Sequence, residues 1–179
     1  MTTLKIDKND SRLKTVRFLA SAMDLNDLRF HVTHFKVESG QGVSTDSSRL
    51  HVAYNIPLED GFYAVNKNTK VYMLIEKAYE LNNNEGSFPS TDDIVEMPEK
   101  EHFAAAVEFI PCNLSSIYTQ VIRAMPGTNT INVDFIRDVC NCFDGVGTFI
   151  IPEPREGEIE NPVHFVLDDL HAVIMPMKT

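Results

Sequence analysis

Residues 45–52 read Thr45-Asp46-Ser47-Ser48-Arg49-Leu50-His51-Val52. Asp and Ser side chains bond back to the nearby backbone and set tight turns, and Leu50, Val52 and Tyr54 then alternate as one face of a strand. The stretch is a polar turn that feeds directly into a strand. A second stretch closes the chain, His171-Ala172-Val173-Ile174-Met175-Pro176-Met177-Lys178. Its two methionines flank a proline at a strand end, and unbranched, polarisable Met beside Pro makes a soft apolar surface able to accept varied partners. Taken alone, each stretch is also ordinary structure: an Asx or ST turn, and the edge of a core.

Near the start of the chain, Asp10 is placed to cap a helix whose Leu13, Val16, Ala20 and Met23 recur at helical spacing, with Lys14, Arg17 and Ser21 on a separate stripe. Residues 28–39, LRFHVTHFKVES, read as a strand whose apolar set shifts from Leu28, Phe30 and Val32 to Phe35 and Val37, an odd offset that predicts a bulge. Residues 63–65 and 71–75 flank NKNT as a hairpin, and 103–110 form a further strand. Asn113 is placed to cap a helix carrying Leu114, Ile117, Val121 and Ile122, stopped by Pro126-Gly127. Asn132 caps another, with Asp134 in its first turn and Ile136, Val139, Cys140 and Phe143 on one stripe. Strands at 148–151, 163–167 and 171–175 follow, separated by the acidic loop EPREGEIEN and a turn at Asp168-Asp169. One helix, several strands, two helices and several strands make an α+β fold with mostly antiparallel pairing.

Residues 80–101 are rich in Asn, Ser, Pro and acids and read as a surface loop or linker. The expected organisation is a first part at 1–79, an insertion or linker with an extra strand and helix at 80–128, and a second part at 129–179.

The whole chain has 179 residues, 16 Lys and Arg against 26 Asp and Glu, a formal charge of −10, and 43 % hydrophobic residues without tryptophan. A domain of this size buries about two thirds of its unfolded surface, enough for a core without metal or staples. No run of about 18 apolar residues occurs, and the first residues lack the apolar stretch of a secretory signal, so a cytoplasmic protein without membrane partner is expected. Cys112, Cys140 and Cys142 are an odd set with two of them too close to bridge, so reduced thiols are expected. The acidic balance argues against indiscriminate nucleic-acid binding, which needs Lys and Arg to neutralise phosphates, but it leaves room for a local basic face.

Candidate chemistry is sparse. On a regular strand His31 and His34 point to opposite faces, so no shared metal is expected. Cys140 falls on an apolar helix stripe, which predicts a buried thiol. Asp92-Asp93 and Glu99-Lys100-Glu101 read as solvated charge in a loop. No phosphate-cradling glycine loop, nucleophile elbow or H-E-x-x-H occurs, and no catalytic residue, metal or cofactor is assigned.

In order, these segments resemble the bacterial DNA polymerase III β sliding clamp family, in which a domain carries T-D-G-H-R-L-A-V in its outer strands and the chain ends V-V-M-P-M-R. The counterparts here are T-D-S-S-R-L-H-V at 45–52 and V-I-M-P-M-K at 173–178. Ile131-Asn132-Val133-Asp134-Phe135-Ile136-Arg137-Asp138-Val139 looks like the family's last-domain helix start, F-N-x-x-Y-L-x-D-V, with Phe135 in the Tyr place. The early helix followed by residues 28–39 is similar to the family's helix and first strand. Gly86-Ser87-Phe88-Pro89, followed by Val95-Glu96-Met97-Pro98, is similar to its G-x-F-P segment near a domain junction. Residues 12–55 and 130–178 carry most of the resemblance. Ser47-Ser48 stand for Gly-His, Lys178 stands for Arg, and residues 57–125 do not align cleanly. A complete clamp chain has three such domains and closes its ring as a dimer, whereas 179 residues hold one domain with an insertion or two reduced ones.

The resemblance implies a DNA-clamp-like fold, with antiparallel sheets on one side and amphipathic helices on the other, in a divergent relative encoded by a phage or mobile element. It implies a non-catalytic processivity factor in DNA replication, a homo-oligomer that tethers partners to duplex DNA. Helices line the inner face of a clamp ring, so Arg12, Lys14, Arg17, Arg123 and Arg137 are the DNA-facing expectation; for Lys14 and Arg17 an ordinary solvated face is the alternative. The family's pocket for a polymerase or repair-factor peptide maps onto Thr45, Ser48, Arg49 and Leu50 as one wall and Val173, Met175, Pro176 and Met177 as the other. A clamp-derived decoy that binds such a peptide without encircling DNA is the main alternative. A small enzyme using Cys112 or the Cys140/Cys142 pair with a histidine is a third, and it needs a reactive thiol.

Overall fold

The computed structural model describes residues 2–81, 88, 90, 94, 96–97, 101–125, 129–153 and 162–177. Asp92-Asp93, Glu99-Lys100, Gly86-Ser87, Pro89, Val95, Pro98, Pro126-Gly127, Lys178 and residues 154–161 of the acidic loop lie outside them. The chain divides into two units, Met1–Thr91 and Asp92–Thr179. This division falls inside the expected 80–128 insertion.

In the first unit, β1 (Thr2–Asp7), an element absent from the sequence reading, precedes α1 (Arg12–Ser21). Then come the single turn α2 (Phe30–Thr33), β2 (Phe35–Glu38), β3 (Gln41–Thr45), β4 (Arg49–Ala53), β5 (Gly61–Asn68) and β6 (Tyr72–Tyr79). The strand order is β1-β6-β5-β2-β3-β4, antiparallel throughout. Ile6, Val16, Phe18, Leu19, Phe35, Val37, Met73 and Ile75 are fully buried and form the core between α1 and the sheet. NKNT is a hairpin as expected, although Asn66, Lys67 and Asn68 extend β5 and the turn itself is held by Thr69, whose hydroxyl donates to the Tyr72 carbonyl at 2.8 Å.

The expected continuous strand at 28–39 is corrected. The Asp24 carboxylate accepts from Asn26 N–H at 3.0 Å and that of Asp27 from Arg29 N–H at 2.8 Å, closing successive Asx turns. Thr33 Oγ1 then donates back to the Phe30 carbonyl, so one helical turn forms before β2 begins at Phe35. The shifted apolar set marks this change of conformation and not a bulge. His31 and His34 accordingly leave the strand geometry assumed for them. His34 stacks on Phe30 at 4.3 Å between centroids, and His31 meets Phe88 edge-on at 6.4 Å. Thr45, read as part of a turn, is the last residue of strand β3, and every residue of β4 is buried, so its expected one-faced alternation disappears; Tyr54 lies past the strand end and is exposed.

The second unit contains β7 (Glu101–Phe109), a 3-10 turn at Pro111–Asn113, α3 (Leu114–Ala124), α4 (Val133–Cys142), β8 (Gly145–Pro152), β9 (Val163–Leu167) and β10 (Leu170–Ile174). Its strand order is β10-β9-β8-β7, again antiparallel. Phe109 is the hub of the core, edge-on to Phe143 at 5.0 Å and to Phe165 at 6.0 Å, with Ile136, Val139 and Val121 from the helices closing over it. Asn132 caps α4 as expected, its Oδ1 accepting from Asp134 N–H at 2.9 Å. Asn113 does not cap α3. Its amide nitrogen donates to the Glu108 carbonyl at 3.2 Å, because the preceding 3-10 turn swings it back toward β7.

Candidate functional site

The β3–β4 turn and the C-terminal Val173–Met177 segment sit in different units, and each has its own geometry. In the β3–β4 turn, Thr45 Oγ1 donates to the Arg49 carbonyl at 2.7 Å and accepts from Ser47 N–H at 3.0 Å. Asp46 Oδ1 accepts from both Ser48 N–H and Arg49 N–H, while Asp46 Oδ2 takes Arg49 Nε at 2.9 Å. The Arg49 side chain is only 9 % exposed and Asp46 only 14 %, so the pair is half of the turn's own framework. Leu50 is buried, and Ser48 points outward from the tip. Ser47 adopts φ 76°, a left-handed position that suits glycine, and it is the place where the resembling sequences carry Gly.

In the tail, Val173 is buried in β10, and the chain then leaves the strand through exposed Met175, buried Pro176 and exposed Met177. Met177 is held by a reciprocal bridge: its N–H donates to the Thr130 carbonyl at 2.7 Å, and Thr130 N–H donates to the Met177 carbonyl at 3.1 Å. Thr130 lies two residues before the α4 cap, so the cap anchors the tail. The outcome is two thioether side chains presented to solvent on a backbone fixed at both ends. Pro176 supplies no N–H, and its burial leaves none to satisfy.

The five expected DNA-facing cations are placed unequally. Lys14 is exposed on α1 and Arg123 is exposed in the last turn of α3. Arg12 turns back on Asp10, with Nη2 2.6 Å from Oδ2, an arrangement that holds the Asp10 carboxyl near pKa 2 mainly through the Arg12 side-chain hydrogen bond. Arg17 donates to the Thr69 carbonyl at the β5–β6 tip, and Arg137 pairs with Asp134 on its own helix. The expected stripe of Lys14, Arg17 and Ser21 is corrected on the same ground. Ser21 Oγ donates to the Phe18 carbonyl at 2.7 Å and faces His51, because α1 buries Phe18 and Leu19 as well as Leu13 and Val16.

Three histidines that the sequence reading did not single out are buried. His51 Nδ1 donates to the Phe18 carbonyl at 2.7 Å while its ring stacks on Phe18 at 4.2 Å, and burial pushes its pKa down to about 3. His164 Nδ1 and His171 Nε2 lie 2.9 Å apart, and burial lowers the pKa of both, helped at His164 by its neighbour. The signal was available: the Asp168-Asp169 turn sets the hairpin register, which makes residues 164 and 171 diagonal neighbours on one face.

Cys140 is buried as expected, and desolvation raises its pKa to about 11, the reverse of what a nucleophilic thiol needs. Among the described residues no group of three His, Cys, Asp or Glu side chains could hold a metal ion. No helix among them is long and apolar enough to cross a membrane.

No family model matches the sequence, and no curated protein matches it. Solved structures do. The DNA polymerase III β chain of Streptococcus pneumoniae TIGR4 matches over 100 % of this chain and 65 % of its own, with TM-score 0.62 and 13 % identity. The DNA polymerase sliding clamp of Bacillus subtilis matches over 99 % and 64 %, with TM-score 0.58 and 13 % identity. A Helicobacter pylori β clamp bound to a DNA ligase peptide matches over 99 % and 66 %, with TM-score 0.59 and 10 % identity. The chain therefore spans just under two thirds of the length of these clamps. With helices and all-antiparallel strands in both units, the chain has a divergent form of the fold of the DNA polymerase III β sliding clamps.

Proposed function

We propose that this chain is a clamp-like processivity factor, without catalysis of its own, that tethers a polymerase or repair-factor peptide to duplex DNA. The observation that carries the reading is the likeness to the Streptococcus pneumoniae β chain over the whole of this chain. The Helicobacter pylori clamp, bound to a DNA ligase peptide, supplies the class of partner. Thr45, Ser48, Arg49 and Leu50 are the proposed peptide contacts of the first unit, and Val173, Met175, Pro176 and Met177 those of the second. The exposed methionines offer adaptable apolar contact, while the braced turn offers hydroxyls and backbone groups of fixed direction.

Fluorescence polarisation of a labelled polymerase-tail clamp-binding peptide tests the reading. Wild type binds, and Arg49→Ala and Met177→Ala each weaken binding by about tenfold, the scale of a lost anchor. Met177 is exposed, so its substitution leaves the fold intact. A folded protein that ignores the peptide removes the reading.

A capture module that binds the peptide without DNA is the second reading. The internal engagement of Arg12, Arg17 and Arg137 favours it. A monomer that binds peptide but not duplex would establish it.

A further inference from the structure

The net charge is not spread over the chain. The first unit has eleven Lys and Arg against eleven Asp and Glu, and the second has five against fifteen, so the whole formal charge of −10 belongs to the second unit. Within the neutral first unit the cations are not spread either. In the β1–β6–β5 sheet, Lys5 and Lys67 both take Leu74 as their register partner, one from each side. Their ammonium groups flank the Tyr72 ring at 5.1 and 5.6 Å from its centroid. Asp7 is the register partner of Tyr72, which sets the following turn, with Lys8, beside the β5–β6 tip that carries Lys70. Arg17 closes the arrangement by donating to the tip carbonyl of Thr69, and this brings the first turns of α1, with Arg12 and Lys14, to the same end. Two carboxylates oppose these seven cations: Asp7, bridged to Lys5 at 2.7 Å, and Asp10, bridged to Arg12. Glu76, further along β6, is held by Asn66 Nδ2.

We infer that this end of the first unit, the β1–α1 turn together with the β5–β6 tip, is a contact for the phosphate backbone of duplex DNA, with Lys67, Lys70 and Lys8 among its anchors. The inference rests on the proposed DNA tether and relocates its contact. Arg123 and Arg137 lie in a unit with a threefold excess of acids, where each phosphate they approached would also meet carboxylate repulsion. The basic end has the opposite balance on a surface with fixed spacing. Lys residues on a sheet and a hairpin tip hold phosphates without reading bases, which a protein that must move along DNA requires.

The test is anisotropy of a fluorescein-labelled blunt duplex, titrated over a range of salt concentrations. It compares wild type, Lys67→Gln/Lys70→Gln and Arg123→Gln/Arg137→Gln, with peptide binding and circular dichroism as checks of integrity. The expected result is a loss of about tenfold or more for the tip variant, with the log–log salt slope reduced by about 1.8 for two lost phosphate contacts. The helix variant stays within about twofold of wild type, as expected where no phosphate contact is lost. A tip variant that binds duplex like wild type overturns the inference and leaves the tether standing. A wild type that binds peptide but no duplex overturns both. If the tip variant instead breaks a salt-sensitive self-association while duplex binding is unchanged, the basic end is a contact for the acidic unit of a second copy, and the inference is again overturned.

Discussion

His164 and His171 share a single buried hydrogen bond across the β9–β10 hairpin. One nitrogen must donate and the other accept, and protonation of the accepting nitrogen sets two donors against each other. Burial lowers both pKa values to about 4, against 6.5 in the unfolded chain. Below 6.5 the unfolded state therefore takes up protons that the folded state refuses. The stability due to neutral rings is fully present above 6.5 and is lost as the pH falls through about 4. His51 adds to the loss, since its ring is locked against Phe18 and its Nε2 has no hydrogen-bond partner among the described residues. Urea midpoints measured from neutral pH to about pH 5 are expected to fall. In His171→Gln, which keeps a polar group but does not titrate, the fall becomes shallower. An equally steep fall in that variant would clear the pair of responsibility.

At the scale of elements, the β3–β4 hairpin is braced by side chains at both ends of its turn yet carries Ser47 at φ 76°. A side chain in that region costs about 1–2 kcal/mol, part of which Ser47 recovers by accepting from Arg29 Nη1 at 3.0 Å on an exposed surface. Ser47→Gly removes the strain and adds unfolded-chain entropy, so the net gain is up to about 1 kcal/mol, seen as a higher melting temperature. A drop in melting temperature would mean that the Arg29 contact dominates. Helix α4 shows what local pattern can do. Asn132, Asp134 and the stripe Ile136, Val139, Cys140 state its start, its polarity and its buried face, and all three are realised. Residues 28–39 show the limit. Their apolar residues fit a strand as well as they fit a turn of helix followed by a strand, and only the carboxylate bonds of Asp24 and Asp27 to the backbone decide between them.

For the molecule as a whole, subunit number is the quantity that separates a ring from a capture module. β1 in the first unit and β7 in the second each have one sheet neighbour among the described residues, and an open strand edge favours pairing with a further chain. For the proposed tether, sedimentation equilibrium is expected to give a multiple of the 20.2 kDa chain mass. A stable monomer at micromolar concentration would instead favour the capture module.

The α+β class, the late helices and the two segments that resemble the clamp family are legible in the residue order alone, because caps, turns and hydrophobic period act over a few residues and leave a local trace. The burial of Cys140 is legible there too, since a stripe position states which way a helix residue faces. The remaining features depend on residues far apart in the chain. Arg17, expected to face DNA or else solvent, is tied to a carbonyl 52 residues away; β1 was unreadable until β6 paired with it; and Lys5 and Lys67 became neighbours only across Tyr72. A side chain's charge is written in the sequence, whereas the groups that satisfy it or crowd it arrive only when distant strands pair.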